Sequence, residues 1–227
     1  MIEIKIDKKY ITMTKYVIIV VFIFIVVAMF FSGMGYKKPV KKSIGLINKR
    51  VEDSLTYRKY STLDAQYDFS ELYANIMDDK DDTYARYIES LEEKYGDDFK
   101  VSYKIAEADK LDEKSLKELE TEIISICNSQ RDSSEETLAT YEAIWNSAEL
   151  TSKEHKKLKK SFGKYIEECS DVDVTSAYKV GLDCKIKGSE GKDEFDVQGL
   201  IVAKVNGKWI IVEGAINPYV ALVGTMK

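Results

Sequence analysis

From Tyr16 to Phe31 the chain reads YVIIVVFIFIVVAMFF, sixteen residues with no polar break, and no charge falls between Lys15 and Lys37. Beyond that run the apolar positions become periodic. Phe69, Leu72, Tyr73 and Ile76 return on one helical face behind Asp68, with Glu71 three residues on as a capping partner. Tyr84, Ile88, Leu91 and Tyr95 keep helical spacing up to Gly96, a stop that tolerates left-handed backbone. The period then shortens to two. Phe99, Val101, Tyr103 and Ile105 alternate with Lys100, Ser102 and Lys104, which predicts a strand with one buried and one wet face. Three consecutive helices follow, carrying Leu116 to Cys127 behind Asp112, Leu138 to Ala148 behind Ser133 and Glu136, and Leu158 to Cys169 behind Thr151 and Glu154. Tyr178, Val180, Leu182, Cys184 and Ile186 then alternate with mostly polar residues, 195 to 205 return, and Asn206-Gly207 predicts a type I′ hairpin into KWIIV. A three-stranded meander is expected there, with 214 to 227 as an edge strand or apolar tail.

The apolar run sets the location. A bilayer core of about 30 Å needs about 20 helical residues, and the uncharged window from Tyr16 to Tyr36 meets that length. Two other readings compete. Lys8, Lys9 and Lys15 with Gly33-Met34-Gly35 have the layout of a cleavable secretion signal. Phe31-Ser32-Gly33-Met34-Gly35 also resembles a bacterial lipobox in which Met34 replaces the lipidated Cys, so no thiol is present to carry a lipid. The favoured reading is an uncleaved anchor whose bilayer-facing residues include Tyr16, Val17, Ile18, Phe22, Phe24, Phe30 and Phe31. Lysines flank both ends, so the positive-inside bias is nearly balanced. The signal-like layout favours a C-terminal domain outside the cytoplasm. Lys37, Lys38, Lys41 and Lys42 would then contact anionic headgroups, or form a solvated spacer.

Charge divides along the chain. Residues 1–50 hold ten Lys or Arg and two acidic residues, leaving 24 basic and 37 acidic residues in the remainder. A surface that acidic repels phosphate backbones and argues against nucleic acid as a partner. About 185 residues beyond the anchor suffice for one domain with a real core. The expected organisation is a short basic segment at 1–15, the anchor at 16–36, a basic linker at 37–53 and one α+β domain at 54–227, with a helical insert at about 131–170.

No residue set names a reaction. His155, the sole histidine, lies within KEHKKLKK and is expected on a solvated helix face. One His and three Cys offer neither zinc spacing nor a nucleophile with its base. Cys127, Cys169 and Cys184 occupy apolar positions, as buried free thiols or, outside the cytoplasm, with one disulfide among them. Asp78, Asp79, Asp81 and Asp82 lack the Gly and terminal Glu of a calcium loop. The expectation is no enzyme, no cofactor and no metal.

"EKYGDDFKVSYKI", "KLDEKSLKELE", "AYKVGLDCKIKGSEG" and "LIVAKVNGKWIIVEG", in that order, resemble clostridial-type secreted lipoproteins. The resemblance covers roughly 54–214. It implies a cone similar to nuclear transport factor 2 or cystatin, with helices packed on a curved antiparallel sheet. The chain departs from that group at Met34 and in the helical insert, which offers a surface for a protein partner. The function expected is a membrane-anchored, extracytoplasmic, non-catalytic binding or interaction module. The alternative, by analogy of layout alone, is a structural subunit of a bacterial envelope, secretion or conjugation complex.

Overall fold

The computed structural model describes residues 35–78 and 83–212. Four short or medium helices come first: α1 (Lys37–Ile47), α2 (Ser54–Arg58), α3 (Asp64–Met77) and α4 (Thr83–Tyr95). Strand β1 (Lys100–Lys110) precedes α5 (Glu113–Asp132), α6 (Ser134–Ser147) and α7 (Ser152–Cys169). Strands β2 (Val174–Lys187), β3 (Lys192–Val205) and β4 (Lys208–Ile211) complete an antiparallel sheet of order β1-β2-β3-β4. The fold is α+β, and the strand meander lies where period-two alternation places it. Asn206 (φ 48°) and Gly207 (φ 80°) both take positive φ, as the expected hairpin turn demands. The apolar run with its anchor residues, Asp79 to Asp82 and the tail from 213 onward lie outside the described residues. Among the described residues, no helix is long and apolar enough to cross a membrane.

The register of the sheet breaks on both sides of one residue of β2, and again near the start of that strand between Val174 and Ser176. Gly181 of β2 faces irregular register on both sides: between Ile105 and Glu107 on β1, and between Val197 and Leu200 on β3. Gly199, at φ 74°, supplies the left-handed residue on β3. Extra residues opposite a single position raise the local twist, and here both fall on the same row.

Helices cover both faces of this sheet. On β3 and β4 adjacent residues point to opposite sides; Val202 and Ile211 join one core while Ala203 and Ile210 join another. The first core packs α1 and α4, with Tyr57 of α2, over Val180, Leu182, Cys184 and Ile186. The second gathers Phe69 of α3, Cys127 of α5, Trp145 of α6 and Leu158 and Phe162 of α7 over Val174, Ala177 and Val205. One wet face per strand therefore holds only in part. Lys185 and Lys187 stay exposed at one end of β2, whereas small residues at the other end, Ala177 and Ala203, let a second helical layer approach. Alternation of large apolar residues reports only the first face.

Residues 37–53 differ from the expected linker. Lys37–Ile47 is helical, and Val40, Ile44 and Ile47 form an i, i+4, i+7 stripe buried against the sheet. Pro39 falls in the first turn, where a missing N–H costs nothing. Tyr36 stacks on Tyr178 at 4.3 Å between centroids, and a Cβ on Gly35 would collide with the Trp209 indole. Residues from Gly35 to Ile47 are thus part of the folded domain and not a linker ahead of Ser54.

Two of the expected helix starts are settled differently. Asp68 lies inside α3, which starts at Asp64 with no side-chain cap on Leu63. Its free backbone is satisfied instead by Glu168 of α7, whose Oε2 accepts from Ala65 N at 2.8 Å. At Ser133 the hydroxyl donates back to Ser129 O at 2.8 Å and caps nothing. The Asp112 cap and the Thr151–Glu154 capping box form as the local sequence dictates.

Candidate functional site

The burial of one side of α1 decides where its lysines go. With Val40, Ser43, Ile44 and Ile47 inward, Lys37, Lys38, Lys41 and Lys42 are all exposed. They share the outer side of the helix that leaves the apolar run. A second basic row runs along α7, where Lys153, Lys156, Lys157 and Lys160 are exposed. Because α1 packs on one sheet face and α7 on the other, the two rows sit on opposite sides of the sheet.

The concave feature lies among α2, α3, α4 and α6. Asp53 caps α2, its carboxylate accepting from Leu55 N at 3.1 Å and from Thr56 Oγ1 at 2.5 Å. Tyr57 stacks on Tyr84 of α4 at 3.7 Å, and its hydroxyl donates to Val51 O at 2.8 Å. Burial, then the neighbouring Tyr84, pushes the Tyr57 phenol up. Helix α2 is thereby fixed away from the body of α3, leaving a cavity of about 730 Å³, within the range of small-molecule sites.

Aromatic rings form one wall. Phe69 lies 5.3 Å from Tyr141 at 67°, and Tyr73 lies 5.4 Å from Tyr141 at 56°. These are edge-to-face or tilted pairs, and Tyr141 also stacks on Trp145 at 5.8 Å. Burial, then Tyr73, pushes the Tyr141 phenol up, so it remains a neutral hydroxyl. Among the described residues the charged part of the lining is mostly acidic, Glu52, Asp53, Glu71 and Asp78 against the guanidinium of Arg58, and Ser54, Ser70 and Asn75 add neutral polar groups. Glu71 accepts from the Tyr67 hydroxyl at 3.1 Å, and burial together with that bond pushes Tyr67 up to about 12.

Among the described residues that line the cavity there is no His, Cys or Lys. His155 is half-buried and packs edge-on against Trp145 at 6.0 Å, which differs from the solvated position expected of it. Cys127, Cys169 and Cys184 are buried free thiols. Cys127 and Cys169 hydrogen-bond to each other across α5 and α7, which pushes Cys169 up and Cys127 down, and burial takes Cys184 up to about 11. The raised thiols of Cys169 and Cys184 are poor nucleophiles. Among the described residues, no group of three His, Cys, Asp or Glu side chains is placed to hold a metal ion.

The lysine row was legible from sequence and the cavity was not. Phe69, Tyr73 and Tyr141 read as core stripes of separate helices, and Glu52 and Asp53 as part of a linker. The one local hint is that two of the three stripe residues are Tyr. Compared with known proteins, the chain matches no family model, no curated protein and no solved structure.

Proposed function

We propose that this protein is a membrane-anchored, extracytoplasmic, non-catalytic binding module. The apolar run from Tyr16 to Phe31 holds it in the cell membrane, with Tyr36 given up to the domain core, and Lys37, Lys38, Lys41 and Lys42 lie against anionic headgroups. The cavity beside α2 takes the ligand, with no cofactor. The observation that carries this reading is the cavity itself, where polar groups from three helices converge beside an aromatic wall. The packing of α1 adds to it, because residues 37–47, expected as a linker, belong to the folded domain and leave little chain between it and the apolar run.

The four-stranded antiparallel sheet with helices packed on it is compatible with the cone that the resemblance implies. A structural subunit of an envelope, secretion or conjugation complex would call for a broad apolar face. Among the described residues the large apolar side chains left exposed are Ile126 at 53% and Ile144 at 37%, on different helices. Scattered residues of that kind are ordinary surface, so binding is the preferred role.

Two measurements test the reading. Protease shaving of intact cells should remove the domain; survival on intact cells with loss on lysis sinks the extracytoplasmic placement. The full chain in lipid nanodiscs, equilibrated with a cell-envelope extract, should retain a small molecule by native mass spectrometry that the cavity-filling variant Ser70→Trp does not. Equal retention by both chains overturns the cavity as the binding site.

A further inference from the structure

We propose that the cavity among α2, α3, α4 and α6 selects an organic ammonium cation that carries an apolar or aromatic group. This rests on the cavity being the ligand site and names the class of ligand.

Three features of the lining point the same way. First, four carboxylates oppose one guanidinium, so an anion entering is repelled and a cation is drawn in. Two of those carboxylates are held in place. Asp53 is fixed by Leu55 N and the Thr56 hydroxyl, and Glu71 by the Tyr67 hydroxyl through Oε1. Second, Phe69, Tyr73 and Tyr141 line the cavity as one aromatic cluster, and aromatic rings attract ammonium groups and give an apolar body something to lie against. Third, size separates an organic cation from a metal ion. The carboxylates are spread around about 730 Å³, and no three of the described metal-ligating side chains converge. A compact ion needs several oxygens within one coordination shell. A bulky ammonium needs only diffuse negative charge and an apolar body to lie against.

The test compares three probes of nearly one shape: phenethylammonium, 2-phenylethanol and phenylacetate. Their binding to the full chain in zwitterionic nanodiscs is measured by saturation-transfer NMR titration at neutral pH. Phenethylammonium should bind about tenfold more tightly than 2-phenylethanol, and phenylacetate more weakly than either. Glu71→Gln should shrink the preference for the cation over the alcohol, and Tyr73→Ala should weaken both. Ser70→Trp should abolish binding, with circular dichroism and the melting temperature establishing that the variant is folded; Asn75→Trp, at an exposed position on the rim, is the second blocking variant. If the alcohol binds as tightly as the cation and Ser70→Trp or Asn75→Trp removes both, the cation class is wrong while the cavity stands. If no probe binds, or binding survives both blocking variants, the cavity reading fails and the class falls with it.

Discussion

Arg50 is a non-glycine residue at φ 56°, a conformation that costs an L-residue about 1 kcal/mol or more unless its surroundings hold it. They do. Its guanidinium donates to Asp97 O at 2.5 Å and Phe99 O at 2.7 Å, lies 3.6 Å over the Phe99 ring, and places Nε 3.3 Å from Glu92 in an ion pair too bent for a hydrogen bond. Next to it, Asn48 pairs with Val101 as a strand would, giving and receiving a 2.7 Å bond with its backbone. Together they tie the end of α1 to the start of β1. Arg50→Ala should therefore cost about 2–3 kcal/mol in denaturant unfolding. Arg50→Gly should cost about 1 kcal/mol less, because glycine relieves the left-handed backbone while losing the same bonds. Equal losses would show that the conformation carries no strain. In the sequence, Arg50 was one more charge in a basic run, since its partners lie about fifty residues away.

At the scale of elements, the two sides of α1 separate stability from surface binding. Replacing Lys37, Lys38, Lys41 and Lys42 together by Glu changes exposed positions only, so unfolding should move by about 0.5 kcal/mol or less per site. Headgroup attraction of about 1 kcal/mol per charge should be lost. The readout is hydrogen exchange of the α1 amides in nanodiscs. The natural chain should be better protected on anionic than on zwitterionic lipid, and the variant alike on both; no lipid dependence in the natural chain counts against headgroup contact. Elements were largely legible because their signals are local. Thr151 and Glu154 lie three residues apart and cap α7 themselves, and Asn206-Gly207 makes its own turn. Helix α3 shows the opposite case. Its start is held by Glu168, which no local pattern around Asp64 reveals. Helix α1 was hidden because its lysines outnumber its apolar stripe.

For the whole molecule, the first core depends on residues that precede Ser54. Tyr36, Val40, Ile44 and Ile47 are each nearly fully buried, and at about 1.5–3 kcal/mol per side chain their burial rivals the stability of a typical domain. A chain beginning at Ser54 should show no cooperative thermal transition, whereas one beginning at Gly35 should unfold as a unit; a cooperative melt of the shorter chain would remove α1 from the core. Acid should loosen the opposite end of the sheet. The Ser189 backbone N–H, and after it the Ser189 hydroxyl, hold the Asp98 carboxyl below its usual range, while the Tyr95 hydroxyl and then Lys94 do so for Asp193. Both folded values lie below the unfolded one, so their contribution is present above pH of about 4 and is lost as pH falls through the folded values. Stability measured against pH should fall on that acid limb, and Asp98→Asn with Asp193→Asn should flatten it; an unchanged slope would mean that these contacts add nothing.

The sequence by itself determined the apolar run, the succession of helices and strands, the meander and its hairpin turn, because helical and strand periods, caps and left-handed turn residues act within a few positions of one another. Tertiary structure alone decided that the sheet carries a core on each face, that Tyr36 and the stripe of α1 belong to the first of them, and that Phe69, Tyr73 and Tyr141 meet Glu71 and Asp53 around one cavity. Those outcomes depend on contacts between residues tens of positions apart, where packing of small residues such as Ala177 and Ala203, and not the hydrophobic period, sets what can come close.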